Sequence, residues 1–392
     1  MADGDNDFRE VAHCGGKITF EISTNEQGGR HYSVGYSLTS ANPAGFFGVY
    51  ALPEGISCSD IRLGGIGAPW NPPPFPECLP VFIQSDSHGR FGHQCPQCKG
   101  YFRSSGAPAL FPMSCCYCGI RGQSWQFLTE AQHKYVRHCT HRLIEGLHSD
   151  EPTLTVQIDM DGIADAALVP KPDFYFEGQV QQTQFTCNAC NGWNDIKGQF
   201  GYCATCGTRN NTRRLEAELE EVRRKLNDGA TKPAEAVHAA VSAFDSCCRN
   251  FVGQLCERVP MTDGRAARLK RMLFHELDGK AEELKAAFDI DLFAGVDTGA
   301  QAFLRMMLCR RHVYEHDGGQ ATARYVRESG DAAVTEGMLI RETQENVHRL
   351  IGVLDKIAGN FDRGFHELFE PEQEPVARER DRQARMKQQR RR

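Results

Sequence analysis

Residues 310–319, RRHVYEHDGG, place Arg311, His312, Glu315 and His316 within six positions and then reach two glycines. Such side chains support more than one chemistry. On a helix, Arg311 and Glu315 stand one turn apart and can form an ion pair on an exposed face. His316 then falls near the helix C-terminus, where a cation suits the dipole, and Gly318 ends the helix. HVYEH also fits H-x-x-E-H, in which two histidines on one face hold zinc and the glutamate acts as base. That motif needs a distant glutamate as third ligand, and the acidic positions still to come, near 367–374, border a polar tail.

The second chemistry-bearing set is cysteine. Eight of the 17 cysteines form CxxC pairs: Cys95/Cys98, Cys115/Cys118, Cys187/Cys190 and Cys203/Cys206. An odd total fits a disulfide framework poorly, and such pairs in a reducing compartment are metal ligands. Each CxxC knuckle turns two thiolates toward one ion, and two knuckles complete a closed tetrahedral site. The spacings C-x2-C-x16-C-x2-C and C-x2-C-x12-C-x2-C are those of zinc ribbons and predict two structural Zn²⁺ ions. Gly100, Gly119 and Gly207 follow the knuckles and relieve crowding at sulfur. Cys116 sits beside Cys115, and His133, His138, Cys139 and His141 follow, so the ligand choice at the first site stays open. Basic and aromatic residues nearby, among them Arg90, Phe102, Arg103, Trp193 and Arg209, offer groups that stack on and clamp a nucleic-acid strand; a solvated surface accounts for them equally.

The rest of the chain bounds the function. At 392 residues, with 40% hydrophobic and 24% charged content, it has room for two or three domains. A net charge of −6 argues against coating nucleic acid by bulk charge. The acidic start MADGDNDFRE lacks a signal-peptide layout, and no apolar run spans a bilayer. The expectation is a soluble cytoplasmic protein without membrane contact.

The elements that must position these residues follow from periodicity. KITFEIS (17–23) and HYSVGYSL (31–38) alternate as strands, while GFFGVYAL (45–52) and PVFI (80–83) read as buried ones. Residues 128–147 carry a helical stripe, and TLTVQIDM and DFYFEGQV, within 152–180, return to strand character. NTRRLEAELEEVRRKLNDG (211–229) spaces Leu215, Leu219, Val222 and Leu226 as a narrow seam, a connector helix or short coiled coil. Val237, Val241, Phe244, Phe251 and Leu255 give one buried helix face, and further helices are expected at 263–287, 298–316 and 341–368. The closing RERDRQARMKQQRRR reads as a disordered basic tail.

An arginine, a polar residue, three more and then histidine, set among helices, resembles the core motif of HEPN domains (higher eukaryotes and prokaryotes nucleotide-binding). The resemblance covers about residues 231–370, including FLRMMLC (303–309) before the motif and HDGGQATARYVRESGD (316–331) after it. It implies an α-helical bundle, in many members a metal-independent ribonuclease. Arg311 would present its planar fork to the scissile phosphate, His316 would move protons, and His312 would be the polar helper. Five helical steps set Arg311 and His316 roughly 140° apart, so the resemblance implies a homodimer in which two motifs meet. Many members keep the bundle without cleaving.

The expected architecture is multi-domain α+β. It comprises a β-rich N-terminal domain (1–90), a first ribbon plus helix (91–150), a short β segment plus second ribbon (151–210), a linker helix (211–230), a HEPN-like all-α bundle (231–370) and the tail (371–392). The expected function is RNA cleavage, toxin-like or antiviral in setting, with RNA as partner. The alternative is a non-catalytic module that binds nucleic acid or protein.

Overall fold

The computed structural model describes residues 8–10, 16–38, 45–62, 70–85, 88–105, 112–159, 177–179, 182–274, 277 and 279–389. The strand expected over 173–180 lies outside them except for 177–179. The chain divides into two compact units, residues 1–208 with 372–392, and residues 209–371. The order is as the composition predicted: a β-rich region with two cysteine clusters, then a helical region.

The first unit holds strands β1 (Phe8–Glu10), β2 (Gly16–Thr24), β3 (Arg30–Leu38), β4 (Phe46–Ala51), β5 (Ser57–Ile61), β6 (Leu79–Gln84), β7 (Arg90–Gln94) and β8 (Tyr101–Ser105). These are followed by β9 (Met113–Ser114), β10 (Arg121–Gly122), helix α1 (Glu130–Leu147), β11 (Thr153–Asp159), β12 (Glu177–Gln179), β13 (Gln182–Thr186) and β14 (Trp193–Lys197). Two three-stranded antiparallel sheets, ordered β11-β2-β3 and β5-β4-β6, share one core with α1. The alternation read in KITFEIS buries Ile18, Phe20 and Ile22 completely, against Tyr135 and Leu143 of α1. Strand β11 pairs with β2 from Thr153↔Ser23 to Asp159↔Lys17. The segment expected to open the second ribbon therefore completes the N-terminal sheet, because Val156 and Ile158 extend its apolar face.

A four-stranded sheet, β13-β14-β8-β7, carries both cysteine modules. Asn194↔Ser104 and Asp195↔Arg103 join β14 to β8. The two modules thus form one sheet rather than the separate segments 91–150 and 151–210. Arg103 and Asp195 pair at 3.2 Å and are both buried, a join the sequence does not announce.

The second unit contains α2 (Asn211–Asn227), α3 (Pro233–Arg258), α4 (Asp263–Lys270), α5 (Lys280–Phe288), α6 (Thr298–His316), α7 (Ala323–Ser329) and α8 (Gln344–Leu368). Helix α2 is no free linker. Leu215, Leu219, Val222 and Leu226 are all buried, and α2 packs on α3 and α8. Its start is fixed by Asn211, which donates to the Cys247 carbonyl at 3.1 Å. Phe251 and Phe361 stack at 4.8 Å in the bundle centre. The helix expected over 263–287 is two helices. Between them Phe274 is buried and its N–H donates to the Asp245 carboxylate at 2.6 Å, which stops the run.

Residues 373–389, expected to be disordered, form α9 (Gln373–Gln389) in the first unit. No described helix is long and apolar enough to cross a membrane.

Candidate metal centres and a polar cleft

Each cysteine knuckle is built the same way. The N–H of the first cysteine donates to the carbonyl five residues on: Cys95 to Gly100, Cys115 to Ile120, Cys187 to Gly192 and Cys203 to Thr208, at 2.8–3.0 Å. The residue four positions on donates back to the same cysteine's carbonyl, and it adopts positive φ in every case: Lys99 59°, Gly119 69°, Asn191 58° and Gly207 77°. The crowded position is therefore Lys99 at the first knuckle, not Gly100 as the sequence implied. Gly100 is needed for another reason, since a Cβ there would lie 2.4 Å from the Tyr117 ring.

These turns bring four sulfurs together twice: Cys95, Cys98, Cys115 and Cys118, and Cys187, Cys190, Cys203 and Cys206, each set within 4.8 Å. The closest pairs are Cys95–Cys118 at 3.7 Å, Cys98–Cys115 at 3.6 Å, Cys187–Cys206 at 3.6 Å and Cys190–Cys203 at 3.5 Å. A tetrahedral ion with bonds of about 2.3 Å to sulfur spaces its ligands about 3.8 Å apart. Both sets are suited to a metal ion. The Tyr117 N–H and the Asn194 side-chain amide donate to sulfur at 3.3 and 3.5 Å, the kind of outer support that thiolate sites use.

The ambiguity over the first set is resolved. Cys116 points at Asn194 Oδ1, 4.0 Å away, and lies outside the group. Cys139 is buried in the β-sheet core, where burial pushes its thiol up to about 12. His133, His138 and His141 also lie outside the group. All sixteen described cysteines are free of disulfides.

The clamp of basic and aromatic groups is largely spent internally. Phe102 is fully buried and Arg103 only 3% exposed, and the Arg90 guanidinium lies 3.4 Å over the Trp193 ring. Arg209 is buried and donates to Asn211 at 2.9 Å.

In the second unit, α6 starts at Asp297, whose carboxylate accepts the Ala300 N–H at 2.9 Å, and ends at His316 as expected. Adjacent arginines on it have different fates. Arg310 points inward: it meets both Glu342 oxygens at 3.2 Å, Asp331 at 2.7 Å and Tyr325 at 3.2 Å, and the Glu342 side chain is 0% exposed. Arg311, His312 and His316 instead line a cleft of about 760 Å³ with Arg305, Arg324 and Tyr325. Arg311 bonds Glu315 at 2.7 Å, the i,i+4 pair expected; Arg311 is only 13% exposed and lines the cleft, whereas Glu315 is exposed and does not line it. Its Nε is buried without a hydrogen-bond partner among the described residues.

Glu315 overturns one expectation. It lies 3.7 Å from His316 and 4.0 Å from His238 of α3 while holding Arg311. Long side chains meeting at this carboxylate offset the 140° divergence of their Cα positions, so Arg311 and His316 converge within one chain. The His312 and His316 rings stand 4.7 Å apart. Among the described residues they join no group of three ligands, which leaves the zincin arrangement unformed.

Sequence reading missed Arg305, Arg324 and His238. Arg305 was within reach, because Gln301, Arg305, Leu308, His312 and His316 recur at helical spacing on α6. Arg324 and His238 come from other helices and leave no such trace. Comparison with protein-family models, with curated proteins and with solved structures finds no match to this chain.

Proposed function

We propose that the protein is a zinc-bound, metal-independent endoribonuclease of the HEPN type, acting on single-stranded RNA in the reducing cytoplasm. The observation that carries it is the convergence of Arg311, His312 and His316 on one cleft. In this reading Arg311 binds the scissile phosphate, and its unused Nε donates to a phosphate oxygen. His316, 54% exposed, takes the proton from the 2′-hydroxyl. The 2′-oxygen then attacks phosphorus, the bond to the 5′-oxygen breaks, and that oxygen leaves with the proton that His316 gives back. A 2′,3′-cyclic phosphate and a 5′-hydroxyl result. His312, its ring against His316, is the polar helper. Zinc fits both four-cysteine groups as a closed structural ion, holding the ribbons without entering the reaction.

A second reading, a non-catalytic binder of RNA, is favoured by the Arg311–Glu315 bond, which phosphate must displace. Purified full-length protein, single-stranded RNA and a chelator distinguish the two, with circular dichroism to follow the ribbons. The nuclease reading expects cyclic-phosphate ends that persist with chelator and vanish in both Arg311→Ala and His316→Ala. Cleavage surviving either substitution sinks it. Binding weakened by Arg311→Ala with no cleavage at all establishes the second reading.

A further inference from the structure

The chain leaves its first unit after Thr208 and re-enters it at Glu372. Re-entry happens on the second cysteine group. The Glu372 N–H donates to the Cys206 carbonyl at 2.7 Å, and Arg121 stands 3.8 Å from the Glu372 carboxylate. One turn into α9, Val376 is 5% exposed and packs in a cluster with Cys187, Cys203 and Cys206. Pro375 and Glu379 are buried beside it. Beyond that anchor, every residue from 380 to 389 is exposed.

The exposed part is basic in an acidic protein. Residues 376–392 carry eight Lys and Arg against two acids, a local charge of +6 where the whole chain has −6. Arg382 is held by Glu379 at 2.6 Å. Arg380, Arg385 and Lys387 form no ion pair among the described residues, so their charge faces outward. A polyanion is the complement of such a helix. A lipid surface is a poorer one, because interfacial helices need an apolar face. Met386 is the one large hydrophobic residue on the exposed stretch.

We propose that α9 is an RNA-binding arm, gripping the phosphate backbone of single-stranded RNA, and that the metal-bound second four-cysteine group is its seat. The proposal rests on the metal reading above but not on cleavage. Metal fixes Cys206 and the surface under Val376; without it the knuckle pair has too small a core to keep its shape. Losing metal therefore frees the arm.

Two measurements on the full chain test this. For the arm, binding of a labelled oligouridine is followed against salt for wild type and for Arg380→Gln/Arg385→Gln/Lys387→Gln. Three lost phosphate contacts lower the slope of log K against log salt by about 2. An unchanged slope overturns the arm, as does a variant that loses only its binding to phosphatidylserine vesicles. For the seat, amide exchange across 373–379 is compared in wild type, in metal-extracted protein and in Val376→Asp. Faster exchange in both altered states is expected, with two metal ions retained in the variant. Protection unaffected by metal removal overturns the seat. Val376→Ala, which inserts no charge, carries the same comparison if the aspartate variant does not fold. RNA cleavage enters neither readout, so failure here is distinct from failure of the nuclease reading.

Discussion

Arg311, which lines the cleft, holds Glu315 at 2.7 Å, with the guanidinium nearly buried and its Nε unsatisfied. The pair is a latch as much as a staple. An arginine that must meet phosphate is preorganised by its carboxylate partner, yet that partner competes with the incoming anion.

Removing the competitor should therefore help binding. Glu315→Gln keeps the side-chain shape and removes the charge facing Arg311, His316 and His238. A partly exposed ion pair contributes up to about 1 kcal/mol, so RNA affinity should rise by up to about fivefold. Fluorescence titration at fixed salt reads this directly. Unchanged or weaker binding would show that Glu315 is not in competition with ligand.

The neighbouring arginine predicts the opposite kind of loss. Arg310→Met strands the buried Glu342 carboxylate and should cost roughly 3–5 kcal/mol, while Arg311→Ala should cost under about 1 kcal/mol. Burial opposes ionisation of Asp331, but hydrogen bonds from Arg310 and Tyr325 outweigh it and hold its carboxyl below the ordinary range. A depressed native pKa stabilises above the unfolded value and loses that contribution as pH falls through the native one. The stability gap between wild type and Arg310→Met should therefore narrow below pH about 4. Denaturant titrations at neutral and acid pH check both statements, and equal losses for the two arginines would contradict this division of roles.

The physics explains which parts were readable in sequence. Strict alternation at Ile18, Phe20 and Ile22 and the CxxC spacings are local signals, and each produced the element it announced. Strand β11 pairs with β2, and β14 with β8, across long stretches of chain, and pairing of that kind has no local signature. The tail misled composition for a related reason. Its charge reads as disorder, whereas Val376 and Pro375, two residues in a polar run, anchor it on a cysteine cluster. In the cleft, Arg311 and His316 were found by motif, but adjacency alone could not say that Arg310 turns inward and Arg311 does not.

The metal centres make their own prediction. Metal analysis after exhaustive dialysis should give two equivalents per chain, and Cys203→Ser/Cys206→Ser should retain one. Gly100→Ala should destabilise the first module by about 1–3 kcal/mol, because its methyl must displace the Tyr117 ring. Tyr117 in turn holds the Tyr101 carbonyl at 2.5 Å and the Lys197 N–H at 3.0 Å, so the shift reaches two strands. A Gly100→Ala protein as stable as wild type would show that the ring moves freely.

The number of chains that make a site can be measured. The resemblance implies a homodimer in which two motifs face each other, and its geometric ground was the divergence of Arg311 and His316 along a straight helix. That ground is absent here, since both side chains reach Glu315 and line one cleft. The cleft does not require a homodimer. Mixing Arg311→Ala with His316→Ala separates these statements. If each catalytic set is assembled from Arg311 of one chain and His316 of the other, a mixed dimer carries one intact set and regains activity. If each set belongs to one chain, no mixture contains an intact set, and activity stays at the level of the single variants. The second outcome is expected, with sedimentation to record whether the variants associate. Restored cleavage in the mixture would place the working site across a twofold axis and reverse the reading of Glu315 as the point where the two groups meet.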